Sequence, residues 1–235
     1  MKDFRVSCHM MQKNERTLLE PWIRHHARIF GLENLYIFDN GSTDNHVIDT
    51  LKKYQEMGLN VELKYNNHPD FESKGEIISR SIQEENDKKH YNFSFPMDCD
   101  EFIGVNTNSS ISIQPDAILS GLSDVFESKG PIQVESFLFN NPYIEYEFLK
   151  KEKPQKFFFA EDSCLSLDIG FHFPKSKYTT DISTSRIIYF HFHNRRFNEF
   201  IFHALQKIAP RSGGGAYDLI IDFLGSGPID LPFSA

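Results

Sequence analysis

The sequence has no apolar run of 18 residues, so no stretch of it is long enough to cross a bilayer as a helix. Its first residues, MKDFRVSCHMMQKNE, lack the apolar core of a secretory signal. Together these lead us to expect a cytoplasmic protein, with at most peripheral membrane contact. Cysteine is scarce, at three residues, and Cys8, Cys99 and Cys164 are far apart and odd in number. Neither a disulfide framework nor a zinc ligand set follows from them, and they read as reduced packing residues. Basic charge is in deficit: 25 Lys and Arg against 33 Asp and Glu give a formal charge of -8. This argues against nucleic acid as a partner and provides no polybasic membrane anchor.

What is present is ordinary folded material. Hydrophobic residues make up 40% of 235 positions and 23 Phe are spread over the whole length, enough for one large domain or two small ones. The N-terminal half alternates between two periodicities. Residues 4–10, 33–40, 60–65 and 91–97 read as strands; residues 17–30, 46–57 and about 73–88 read as helices. Gly58 is placed to stop the second helix, and Ser73 with Glu76 has capping-box spacing for the third. Pro96 suggests that the fourth strand lies at an edge or that the residue closes it. Strands alternating with helices predict an α/β fold with a mostly parallel central sheet covered on both faces.

In such sheets ligands bind beyond the carboxyl ends of the strands. Polar groups collect at each of these ends: Lys13, Asn14 and Glu15; Asp39 and Asp44; Asn66, Asn67 and His68; Asp98, Asp100 and Glu101. If the fourth strand runs on through Asp98 and Asp100, their side chains share a face. Two carboxylates that close repel unless a cation sits with them, and a hard divalent ion is one answer. An exposed turn cluster is the other.

The elements CHMMQKNE, PWIRHH, IFDNGSTD and MDCDEF occur in an order and spacing that resembles the nucleotide-sugar-dependent glycosyltransferases of the family 2 type, in the branch related to family 92. GEIISRS, 75–81, resembles a fifth element, with Gly75 and Arg80 in place and Ser81 where that family has Asn. In the C-terminal half, residues 187–207 match less well, with His191, Arg195 and Glu199 in register; Lys156 and His172 stand where a Lys and a His are common.

The resemblance implies a GT-A type, Rossmann-like domain over residues 1–208. Residues 1–105 would form its nucleotide-sugar half and 106–208 its acceptor half, with a loop and tail at 209–235. It implies a metal-dependent, inverting transfer of a sugar from a nucleotide-diphosphate sugar, UDP favoured, to a saccharide or lipid-linked saccharide acceptor in polysaccharide biosynthesis. Asn14, Glu15, Asp39, Arg80 and Asp98 would hold the donor, and Asp100 and His191 would hold Mn2+ or Mg2+. His191 and His193, two apart on a strand, are expected to face opposite ways, so that only one is a ligand. His25 and His26 read as helix packing and surface residues. Asp162 is the candidate general base, with Glu161, Glu135 and Glu145 as competitors. Two other classes remain open: a nucleotidyl or phosphoryl transferase, although QKNER lacks the glycine of a phosphate loop, and a non-catalytic sugar-nucleotide-binding relative. A metal hydrolase built on residues 191–193 is a third.

Overall fold

The computed structural model of the chain describes residues 4–108, 110–151 and 155–196. The N-terminal half runs β1 Val6–Gln12, α1 Leu19–Phe30, β2 Leu35–Asp39, α2 Asn45–Glu56, β3 Asn60–Glu62, α3 His68–Glu72, α4 Lys74–Lys89 and β4 Phe93–Met97. The C-terminal half adds one helix, α5 Pro115–Leu122, and ten short strands: β5 Glu101–Asn106, β6 Ile111–Ser112, β7 Ile132–Gln133, β8 Ser136–Asn140, β9 Phe148–Lys151, β10 Phe157–Ala160, β11 Cys164–Ser166, β12 Lys175–Ser176, β13 Ser183–Thr184 and β14 Ile187–His191. The described residues up to Asn141, with Tyr146–His193, form one compact unit; among the described residues Pro142–Glu145 and Asn194, Arg195 and Arg196 belong to a second, in which the Arg196 guanidinium reaches the Pro142 carbonyl at 3.5 Å.

The main sheet has seven strands in the order β13-β7-β10-β4-β1-β2-β3, and four of its six pairings are parallel. All seven residues of β1 are buried, because side chains leaving either face of a central parallel strand enter a core. On one face Val6, Cys8 and Met10 pack with Trp22 and Ile23 of α1 and Val47 and Leu51 of α2. On the other, Met11, Tyr36 and Phe38 pack with Ile77, Ile78 and Ile82 of α4. The fold is therefore the expected α/β sheet with helices on both faces. All three cysteines are free and buried, and no described helix is long and apolar enough to cross a membrane.

Two local expectations need correcting. The start of α4 has no side-chain cap from Ser73, which sits at φ -91, ψ 13 where a capping residue needs an extended backbone. The capping box belongs to α3 instead, between Asn67 and Asp70. Strand β4 is internal, not an edge; β10 pairs with it only at Phe93 and Ser94, so Pro96 falls past the end of that ladder. Beside the main sheet stands a five-stranded sheet, β6-β5-β14-β8-β9, which sequence spacing did not reveal.

His9, in the middle of β1, has no exposed surface. It stacks on Tyr36 with ring centroids 4.6 Å apart, and its nitrogens lie 2.9 and 3.0 Å from the hydroxyls of Ser81 and Ser7. Burial, then the charge of Lys89, pushes its pKa down to about 3. Between that value and the unfolded value near 6.5, the unfolded chain binds the extra proton, so stability falls as pH drops through this window. The expected loss is on the order of 3 kcal/mol by pH 4. His9→Gln should flatten the dependence of Tm on pH between 6.5 and 4; an unchanged slope would mean that other groups control acid unfolding.

Candidate active site at the sheet rim

The carboxyl ends of β1 and β2 are tied together before any ligand is considered. Asn14 holds a left-handed backbone, φ 54, and its amide oxygen accepts the N–H groups of Thr43 and Asp44 at 2.8 and 3.0 Å. Its own N–H donates to the Ser42 hydroxyl at 2.8 Å. Asp39 accepts from Gln12 Nε2 and the Ser42 hydroxyl, both at 2.5 Å, and from the Ser42 N–H at 2.9 Å. Both residues thus build the loop 39–44. Asp39 also lines a cleft of about 270 Å³ with Gly41, Ser42, Leu51, Lys52 and Asn66. Gly41 has φ +73, and a Cβ there would lie 2.6 Å from the Asn66 carbonyl, so the two loops touch at this point. Glu15 begins the turn into α1, its N–H donating to Gln12 Oε1 at 3.1 Å.

Arg80 lies elsewhere. Six residues along α4 from the rim, it lines a separate cavity of about 320 Å³ between α4 and strands β2 and β3, with Tyr36, Phe38, Glu62, Tyr65 and Glu84. Gly75, its companion in the sequence element, is fixed by packing: a Cβ would lie 2.3 Å from the Leu167 carbonyl. Ser81 hydrogen-bonds His9, as described above.

After Met97 the strand stops. Residues 98–100 make a turn, so Asp98 and Asp100 do not share a strand face. The Glu101 N–H closes this turn on the Asp98 carbonyl at 3.1 Å, and Glu101 Oε2 accepts the Asp98 N–H at 2.8 Å. The cations beside Asp98 are two lysines. Lys74, the first residue of α4, reaches Oδ1 at 2.7 Å, and Lys156, just before β10, reaches Oδ2 at 2.6 Å. Lys156 also lies 3.0 Å from Glu101 Oε1. Burial alone would raise the pKa of Asp98, yet Lys156 and then Lys74 hold it far below the carboxylate range. Glu101 is fully buried; burial raises its pKa and Lys156 only partly offsets this. Lys156 is raised in turn, burial being outweighed by Asp98 and Glu101.

Asp100 belongs to a different group. β14 pairs antiparallel with β5 so that His191 stands opposite Glu101, and the Phe192 N–H donates to the Asp100 carbonyl at 2.8 Å. His191 Nε2 is 3.4 Å from Asp100 Oδ2. Burial is outweighed on both partners: Asp100 is lowered by His191, and His191 is raised by Asp100. Because β14 ends at His191, residues 192 and 193 turn, and His193 returns to the same place instead of facing away. Ligand atoms of Asp100, His191 and His193 all lie within 4.8 Å of one another, and both rings pack on Phe139. The expectation that only one of the two imidazoles could approach a metal is therefore corrected. His191 Nδ1 is buried without a hydrogen-bond partner. One carboxylate and two imidazoles fit a divalent ion of borderline softness.

Asp162 is not at this rim. β10 runs antiparallel to β4, pairing Ala160 with Phe93, so the residues after β10 emerge at the amino end of β4. Asp162 there pairs with Lys177, and Glu161 with Lys129 at 2.6 Å. The same reversal puts Lys156, at the start of β10, beside Asp98. Glu135 is also at the far end of its strand, since its N–H donates to the Ile187 carbonyl, four residues before His191. Glu145 lies in the second unit. His25 and His26 are packing residues: His25 Nε2 bonds the Ile103 carbonyl at 2.8 Å, and His26 is fully buried on Trp22. His172 Nδ1 bonds the Gln155 carbonyl at 2.6 Å. Glu199 and residues 209–235 lie outside the described residues.

The fold and rim define an α/β protein with a candidate metal centre and a lysine-paired carboxylate at the end of a mostly parallel sheet. No family model matches the chain, and no curated protein matches it. Among solved structures it is similar to TarS of S. aureus. Residues 1–349 of that protein share 14% identity at a TM-score of 0.35, covering 58% of this chain and 35% of that one. A second TarS structure shares 14% at 0.37, covering 60% and 23%. The 1–349 structure in complex with UDP shares 13% at 0.37, covering 63% and 38%. The chain spans well under two thirds of each of these, and values this low establish neither family nor activity.

Proposed function

We propose that this protein is a metal-dependent glycosyltransferase that takes a sugar from a nucleotide-diphosphate donor, UDP-linked in the first instance, and passes it with inversion to a saccharide or lipid-linked saccharide. The observation that supports this most is the meeting, at one rim, of the DNGSTD loop and the centre made by Asp100, His191 and His193. The nucleoside sits against the Asp39 loop, where the Asp39 carboxylate can still accept from a ribose hydroxyl or a base N–H. Asn14 and Glu15 act from the adjoining loop, Asn14 by holding residues 42–44 in place. A bound divalent ion would neutralise the charge that develops on the departing diphosphate. Two imidazoles in the donor set favour Mn2+ over Mg2+, which prefers oxygen.

A panel of nucleoside diphosphates tests this by thermal shift. UDP or GDP with manganese should raise Tm above either component alone, and a UDP-sugar should be consumed when a saccharide acceptor is added. No shift from any nucleotide with any divalent ion would remove the reading. The convergence of both imidazoles on Asp100 also favours a second one, a metal hydrolase. Manganese binding that no nucleotide strengthens, with hydrolysis of simple phosphate esters, would select it.

A further inference from the structure

The ammonium groups of Lys74 and Lys156 meet at Asp98 from two separate elements, and both sit on the ring of Phe171, 4.5 and 5.1 Å from its centroid. Phe171 itself is fully buried and holds φ 60, so loop 167–173 is shaped to bring that ring beneath the charges. The two lysine side chains are only 7% and 3% exposed, whereas the Asp98 side chain between them keeps 31% of its surface. The two anions of the cluster differ in the same way. Glu101, with no exposed surface, is locked behind Lys156; Asp98 forms the outer face. One counter-ion is enclosed and the other faces solvent.

A buried ammonium needs an anion at all times, because an unpaired charge in such a place is costly. Each ammonium carries three donors and each is matched to a different oxygen of one carboxylate. A phosphate group offers at least as many oxygens at similar separation and more negative charge, so it can replace the carboxylate on both lysines at once. Lys156 lies 3.0 Å from Glu101, which stands opposite His191 across β5 and β14, so this pair is next to the metal centre.

We infer that Lys74 and Lys156 form a phosphate subsite whose resting counter-ion is Asp98, displaced outward when a diphosphate arrives. The identity of the ligand as the donor's diphosphate rests on the transferase reading; the exchange itself does not. In this arrangement Asp98 is a positioning residue that keeps the lysines charged and apart from stray anions, and Asp100 alone of the two acids serves the metal.

Calorimetric titration of the metal-free protein with inorganic pyrophosphate tests the exchange. Asp98→Asn keeps the shape but removes the competing charge, so affinity for pyrophosphate should rise about tenfold. Adding Lys74→Gln should remove the gain. A folded Asp98→Asn protein whose pyrophosphate affinity is unchanged or lower overturns the inference and leaves the lysines as a structural clamp. Should Asp98→Asn not fold, Lys74→Gln alone decides: it should weaken pyrophosphate binding about tenfold, and an unchanged affinity overturns the inference. The two readings separate cleanly. A pyrophosphate gain without any response to UDP keeps the subsite and ends the transferase reading, whereas UDP and manganese stabilisation with no pyrophosphate response to these variants does the reverse.

Discussion

Asp100→Ala removes the manganese-dependent part of the stabilisation given by a nucleoside diphosphate. A ligand held at about 100 times its Kd adds roughly 2.7 kcal/mol, which for a chain of this size is a shift of about 5–10 °C. The wild type should show it with metal, and the variant should fall back to the shift seen with nucleotide alone. If Asp100→Ala keeps the full effect, the metal binds elsewhere. His191→Ala and His193→Ala should each weaken manganese as well, because the turn after β14 brings both rings to Asp100. A variant of His193 that binds manganese as the wild type does would restrict the centre to Asp100 and His191.

The same centre predicts a pH dependence with a definite sign. Asp100 raises the pKa of His191 against the effect of burial, so the proton competes with the metal over a wider range than for a free imidazole. A raised His pKa means that protonation persists to higher pH. Metal affinity should therefore fall as pH drops through that raised value, and manganese titrations of His191→Ala should show a flatter dependence.

Lys156→Met should cost about 3–5 kcal/mol of stability, measured by urea unfolding, because it takes from the fully buried Glu101 and from Asp98 the cation they share. Glu101 contributes most of this. Asp98 is partly solvated and keeps Lys74, so its share is reduced. Adding Glu101→Gln to Lys156→Met should recover much of the loss, since Asp98 keeps Lys74 and no buried carboxylate is left without a cation. A single variant that loses less than about 1 kcal/mol would show that water relieves the cluster and that its burial is not the controlling term.

The sequence by itself determined the α/β alternation of the first hundred residues. Buried strands such as Val6–Gln12 and amphipathic helices such as Leu19–Phe30 are local patterns, each readable within its own window. The rim followed from that alternation, since parallel strands must all end on one side, and so the placing of Asp39 and Asp98 at that side was available from spacing alone. Lys74 could have been found the same way: a helix that returns from the rim begins at it, and Lys74 is its first residue.

What only the tertiary structure decided depends on chain reversals and distant pairings that leave no periodic trace. The two-residue strands β6, β7, β12 and β13 are too short to show any period. The antiparallel entry of β10 beside β4 exchanged the expected roles of its two ends, sending Asp162 away from the rim and Lys156 to it. A turn at residues 98–100 and another at 192–193 replaced strand alternation, so Asp98 went to the lysines while His193 joined Asp100. Strand periodicity holds only while the ladder lasts; where it ends, the direction of each side chain is settled by what packs against the turn.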